Sequence, residues 1–129
     1  IRILGLLHLA VGSEEYINGV LGVFHLRNQL VELMIAETDA PNRGGILHLN
    51  RLITPEQKAV LTAMPAPEVE RAAMIAGHLT YANAYLPRAR KRAKALGIDW
   101  PERFEAVTWE KLERTLGMKR PYDPERRID

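Results

Sequence analysis

The chain has 129 residues, 47% of them hydrophobic, a net charge of +2 and no cysteine. That length supports one buried core and makes a single domain the expectation. The missing thiols exclude a disulfide framework and any thiolate metal site.

Residues 1–11 are apolar, but Arg2 and His8 interrupt the run and no small-residue cleavage pattern follows. It is far short of the roughly 20 apolar residues that a bilayer span needs. A core helix is the reading, closed by Gly12 in the left-handed position after a helix, with no membrane association and a cytoplasmic location. Because the chain starts at Ile1 inside an apolar pattern, as a processed or truncated protein does, an upstream segment is expected.

Ser13 is expected to cap the next helix, with Glu14 and Glu15 in its first turn, where the helix dipole favours negative charge. This helix should run to about Thr38. Ile17, Val20, Leu21, Phe24, Val31, Met34 and Ile35 recur at three and four and mark its apolar face. Arg27 projects into the middle of that face and Asn28 lies at its flank. A guanidinium buried there needs an internal carboxylate, or else a ligand or partner chain.

Residues 39–45 read as a loop by their Pro, Asn and Gly content, and 46–53 as a connector or single helical turn. Thr54, Pro55 and Gln57 form a capping box with proline at the first helical position, opening a short helix that ends near Met64. After Pro65 and Pro67, the spacing predicts a fourth helix over 68–96, kinked at Pro87 and ended by Gly97. On it Met74, His78, Tyr81 and Tyr85 form one stripe, either a pocket wall or core and interface. Ala72, Ala73, Ala76, Gly77, Ala82 and Ala84 allow close approach of a neighbouring helix.

The basic run Arg88, Arg90, Lys91, Arg92 and Lys94 fans around more than half of the helix. It reads as a solvated face more than as a nucleic-acid surface. The four histidines lie in separate elements without zinc-site spacing, so no metal site is expected. Asp99 and Glu102 form a second capping-box-like start, the last helix runs to Leu116, and Gly117 closes it. Residues 118–129 hold two prolines and seven charged side chains and read as an extended polar tail. The expected architecture is all-α, a bundle of about five helices over 1–117. No phosphate-binding glycine loop, nucleophile elbow or EF-hand pattern is present.

Four segments, FHLRNQLVELM (24–34), RGGILHLNRLITPEQ (43–57), YLPRARKRAKALG (85–97) and WPERFEAVTWEKLERTLG (100–117), together resemble the C-terminal helical region of bacterial nucleotidyltransferases of the aminoglycoside-adenylylating kind. The resemblance implies an upstream or separate α/β domain whose Gly-Ser turn and Asp-x-Asp pair bind metal and nucleotide. It also implies transfer of a nucleoside monophosphate to a small hydroxyl-bearing acceptor, and a homodimer. This chain departs from the catalytic pattern, because Asp39, Asp99, Asp123 and Asp129 are unpaired in sequence and Gly12-Ser13 has no Asp-x-Asp beyond it. It should therefore hold no catalytic residue and no cofactor of its own, with the nucleoside triphosphate and Mg left to the other domain. Acceptor contacts fall to Arg27, Asn28, Asn50, Arg51, His78, Tyr81 and Tyr85. Two other readings stand beside this one. Arg71 and His78, on one side of the fourth helix, resemble the Arg-to-His motif of HEPN ribonucleases, although Ala72 stands where that family usually has a polar residue. The chain can also be read as a non-enzymatic helical dimerisation or interaction module.

Overall fold

The computed structural model describes residues 1–38 and 49–124. It is all-α, with no strand among the described residues. The elements in chain order are α1 (Arg2–Gly5), α2 (Leu7–Gly12), α3 (Tyr16–Thr38), α4 (Leu49–Leu52), α5 (Pro55–Thr62), α6 (Arg71–Ala95) and α7 (Glu102–Leu116). The loop expected at 39–45 and the first residues of the 46–53 connector lie outside the described residues, as does the end of the tail.

Helices α1 and α2 are one apolar helix interrupted at Leu6, whose N–H is shared between the carbonyls of Arg2 and Ile3 at 3.2 Å each. Gly12 is the last residue of α2, not the left-handed residue beyond it; the positive φ of 56° belongs to Glu14. Ser13 does not cap α3. Its hydroxyl donates back to the Leu9 carbonyl at 2.7 Å, the alternative a serine has whenever a carbonyl lies four residues behind it.

The capping box of α5 forms as its sequence dictates. Gln57 N–H donates to Thr54 Oγ1 at 3.1 Å and Thr54 N–H to Gln57 Oε1 at 2.9 Å, with Pro55 in the first turn. Helix α6 begins at Arg71, three residues later than the periodicity suggests, and continues through Pro87. The Asp99–Glu102 start does not form a box, since Pro101 precedes α7 without a side-chain cap. Gly97 and Gly117 take the left-handed conformation at φ 69° and 68°, ending α6 and α7 as glycine permits.

The central packing is α3 against α6, and glycine determines which faces meet. A Cβ on Gly19 would lie 1.6 Å from Met74 Sδ, and one on Gly77 would lie 3.3 Å from Val23 Cγ2. The Met74 side chain lies over Gly19 and the Val23 side chain over Gly77, so α3 buries Gly19, Val23, Leu26 and Leu30 and not the bulkier stripe through Ile17, Leu21 and Phe24. Two apolar clusters result. One joins α1, α2, α6 and α7 around Leu4, Leu86, Trp109 and Leu112; the other joins α3, α4, α5 and α6 around Leu30, Met34, Leu61 and Tyr81.

The start of the tail is docked. Met118 is 2% exposed within the first cluster, and Tyr122 packs edge-on against Trp109 with ring centroids 5.9 Å apart. Residues 118–124 therefore belong to the bundle, because two apolar side chains among the charges give them something to bury. No helix among the described residues is long and apolar enough to cross a membrane.

Candidate functional site

The best-formed concavity is a groove of about 1100 Å³ between α5 and α6, floored by the last turn of α3. Each element reaches it for a local reason. The α5 capping box fixes Thr54 and Gln57 at the groove's edge. Thr38 closes α3 by donating from Oγ1 to the carbonyls of Ile35 at 2.7 Å and Leu52 at 2.9 Å. On α6, Asn83 and Pro87 stand one turn apart on the groove wall. Proline has no N–H, so the Asn83 carbonyl loses its helical donor beside Asn83's own amide.

A polar relay crosses the floor. Arg88 Nη1 donates to both Glu37 oxygens, at 2.9 and 3.3 Å. Buried Gln57 donates from Nε2 to the Met34 carbonyl at 3.0 Å and to Glu37 Oε2 at 3.4 Å. Arg88 and Glu37 keep 25% and 27% of their side-chain surface in solvent, so the pair contributes about 1 kcal/mol or less to stability and keeps hydrogen-bonding capacity open. Lys91 and Arg92 continue the cationic wall one turn on, while Val60, Met64 and Ala84 supply apolar surface. Such a mixture can seat a small polar molecule by its hydroxyl or anionic groups while covering its carbon skeleton.

A second polar cluster ties α7 and the tail to α6. Glu105, 1% exposed, accepts from Arg90 Nη1 at 2.9 Å and from Trp100 Nε1 and Tyr122 Oη. Arg90 also grips Glu102 with both nitrogens at 2.8 Å and sits over the Trp100 ring. Trp109 Nε1 donates to Tyr122 Oη at 2.8 Å. Burial alone would raise the Glu105 carboxyl, but the hydrogen bonds from Tyr122, Trp100 and Arg90 outweigh it and hold it below the usual range. Burial and the Glu105 carboxylate push the Tyr122 hydroxyl well up. The members of this cluster satisfy one another, which makes it a clamp.

The seven residues expected to contact an acceptor lie elsewhere. Arg27 does not sit inside an apolar core: it is exposed, and Nη1 donates to the hydroxyl of buried Tyr81 at 3.1 Å. The physical reason is that α6 docks on the glycine face of α3, which turns the Arg27 edge outward. Asn28, Asn50 and Arg51 are also exposed. His78 is 2% exposed, its Nδ1 2.8 Å from the Met74 carbonyl, and burial lowers its pKa despite that bond. Tyr85 is half-buried between the two clusters, its hydroxyl pKa raised by burial. Arg27 and Tyr81 are the only pair of the seven joined by a hydrogen bond among the described residues, and none of the seven lines the groove. Arg71 is exposed at the start of α6 while His78 is enclosed, so the two do not present a solvent-open acid and base.

The residues that do meet in the groove were partly visible in sequence. Gln57 belongs to the capping box and Arg88 to the basic run, but the run is not one solvated face: Arg88 pairs with Glu37 and Arg90 with Glu102 and Glu105. The spacing of Asn83 and Pro87 is a further signal, since it marks a carbonyl without its helical donor. Among the described residues no group of three or more His, Asp or Glu could hold a metal ion. No protein-family model, curated protein or solved structure matches the chain.

Proposed function

We propose that this chain is the helical, acceptor-side part of a cytoplasmic nucleotidyltransferase that modifies a small hydroxyl-bearing molecule. Nucleotidyl transfer requires carboxylates that hold a divalent ion against the phosphates. The described residues offer no set that fits such an ion, so this reading assigns the ion, the nucleoside triphosphate and the chemistry to a separate nucleotidyltransferase domain. The chain's own work is binding and orientation.

The observation that carries the reading is the groove between α5 and α6, where hydroxyls, an amide and a carbonyl without its helical donor meet a cationic wall. In this reading Thr54 and Asn83 orient acceptor hydroxyls, and the Asn83 carbonyl accepts a hydrogen bond from one of them. Arg88, braced by Glu37, and Lys91 attract anionic groups on the acceptor or on the incoming nucleotide. The four segments that resemble nucleotidyltransferase helical regions support the same reading, since 43–57 and 85–97 include Thr54, Gln57, Arg88 and Lys91. The contacts thus move from the seven residues around Arg27 and His78 to this groove.

Calorimetric titration of the chain with aminocyclitols, sugars and nucleosides tests it. A hydroxyl-rich member should bind, and Arg88→Ala should weaken it by about tenfold, the loss of one charge-assisted hydrogen bond. Binding that Arg88→Ala and Asn83→Ala leave untouched, or none across the panel, would overturn the assignment.

A further inference from the structure

The α6 wall of the groove changes character along its length. Asn83, Pro87 and Lys91 stand one above another, a stripe about 12 Å long at about 1.5 Å of rise per residue. Its first turn presents the Asn83 amide and the carbonyl that Pro87 leaves without a helical donor. Its last turn presents the lysine, with Arg88 on the same wall about 8 Å along the axis from Asn83. Helix α6 contains no Asp or Glu, so the acids at the groove are Glu37 and Glu56 from the other elements. Glu37 already accepts from Arg88 and Gln57. Glu56 sits in the first turn of α5, where the helix dipole favours its charge. Lys91 has no carboxylate partner among the described residues. Arg88 meets Glu37 through Nη1 alone, which leaves the Nε–Nη2 edge of the guanidinium with hydrogens to donate.

We infer that the molecule seated here is a sugar monophosphate, with its hydroxyls at Asn83 and its own phosphate between Arg88 and Lys91. The inference rests on the groove being the acceptor site and says which class of acceptor it takes. The phosphates of a nucleoside triphosphate travel with a divalent ion, and the described residues offer no set that fits one. Arg88 and Lys91 are thereby left to an anion that the acceptor itself carries. A carboxylate has two coplanar oxygens, which one guanidinium edge satisfies. A phosphate has three acceptor oxygens and up to two negative charges, which suits a guanidinium edge and an ammonium on successive turns. An amino sugar would set its ammonium groups against the same two cations, with no acid on the α6 wall to receive them, so the charge pattern rejects it.

Titrations with glucose 6-phosphate, glucose, glucosamine and inorganic phosphate, followed by backbone amide shifts, give affinity and location together. Glucose 6-phosphate should bind about tenfold more tightly than glucose, by one charge-assisted hydrogen bond, and should shift both Asn83 and Lys91. Glucosamine should be the weakest of the three sugars. Inorganic phosphate should shift Lys91 and leave Asn83 in place. Lys91→Glu should abolish the preference for the phosphate ester, and added salt should weaken glucose 6-phosphate while leaving glucose unaffected. Glucose binding as tightly as its phosphate, or glucosamine binding more tightly than either, overturns the inference and leaves the groove a site for hydroxyls alone. Inorganic phosphate matching glucose 6-phosphate overturns it too, since the sugar then contributes nothing. Silence of the groove toward all four overturns the acceptor-site reading and this inference with it.

Discussion

Two polar clusters are anchored on α6 by Arg88 and Arg90, two residues apart and so on opposite sides of the helix, and they behave differently. Around Glu105, three donors converge on a carboxylate that solvent does not reach, and Arg90 is held on both sides. Around Glu37, a single arginine and a weak amide contact hold a carboxylate that is still a quarter exposed. A buried network that satisfies itself fixes structure and has no capacity left for a ligand. A half-exposed network beside a groove keeps that capacity. The basic run of α6 serves both, with Arg90 turned to the clamp and Arg88 to the groove.

The widest separation between the two clusters should appear in stability. Glu105→Ala removes the shared acceptor and leaves Arg90, Trp100 and Tyr122 short of a partner, at a cost of about 3 kcal/mol or more, seen as a lower urea midpoint. Glu37→Gln should cost under about 1 kcal/mol while weakening groove binding. Equal losses at the two sites would erase the distinction.

Next in size is the helix crossing that positions the groove. Gly19→Ala forces a methyl group into Met74 and should destabilise by about 1–3 kcal/mol, measured by thermal unfolding. The neighbouring Gly12→Ala, with nothing near its Cβ, should not destabilise through crowding.

Acid probes the clamp and the buried His78. The Glu105 carboxyl titrates lower in the folded chain than its ordinary 4.5. Between those values the unfolded state binds the extra proton, so stability present above 4.5 is lost as pH falls toward the lowered value. His78, depressed below its ordinary 6.5 by burial, acts with the same sign at higher pH: stability falls as pH drops below 6.5 and levels off beneath the folded pKa. His78→Gln should flatten the upper limb of a stability-against-pH curve and Glu105→Gln the lower one. The smallest expected effect is at Lys91, exposed on the groove wall: Lys91→Ala should leave the melting temperature unchanged and lower affinity only for anionic ligands.

The long helices, the α5 capping box and the glycine stops of α6 and α7 were legible in the sequence because each depends on residues close along the chain. The covered face of α3 was not. That helix carries two apolar faces, one bulky and one built on Gly19 and Val23, and periodicity alone favours the bulky one; close approach through glycine decides otherwise. The same rotation moved Arg27 from an expected burial to the surface and carried the candidate pocket with it. The clamp was hidden for a different reason, since Trp100, Glu105 and Tyr122 are brought together by how α7 and the tail fold back on α6, and no local spacing records that.

Backbone amide shift mapping during titration with the best hydroxyl-bearing ligand tests the central claim, that the groove between α5 and α6 is where this chain meets small molecules. The account predicts shifts concentrated at Thr38, Thr54, Gln57, Asn83 and Arg88, with the Glu105 clamp unmoved. Shifts centred on Arg27, Arg51 or the clamp, with the groove silent, would contradict it.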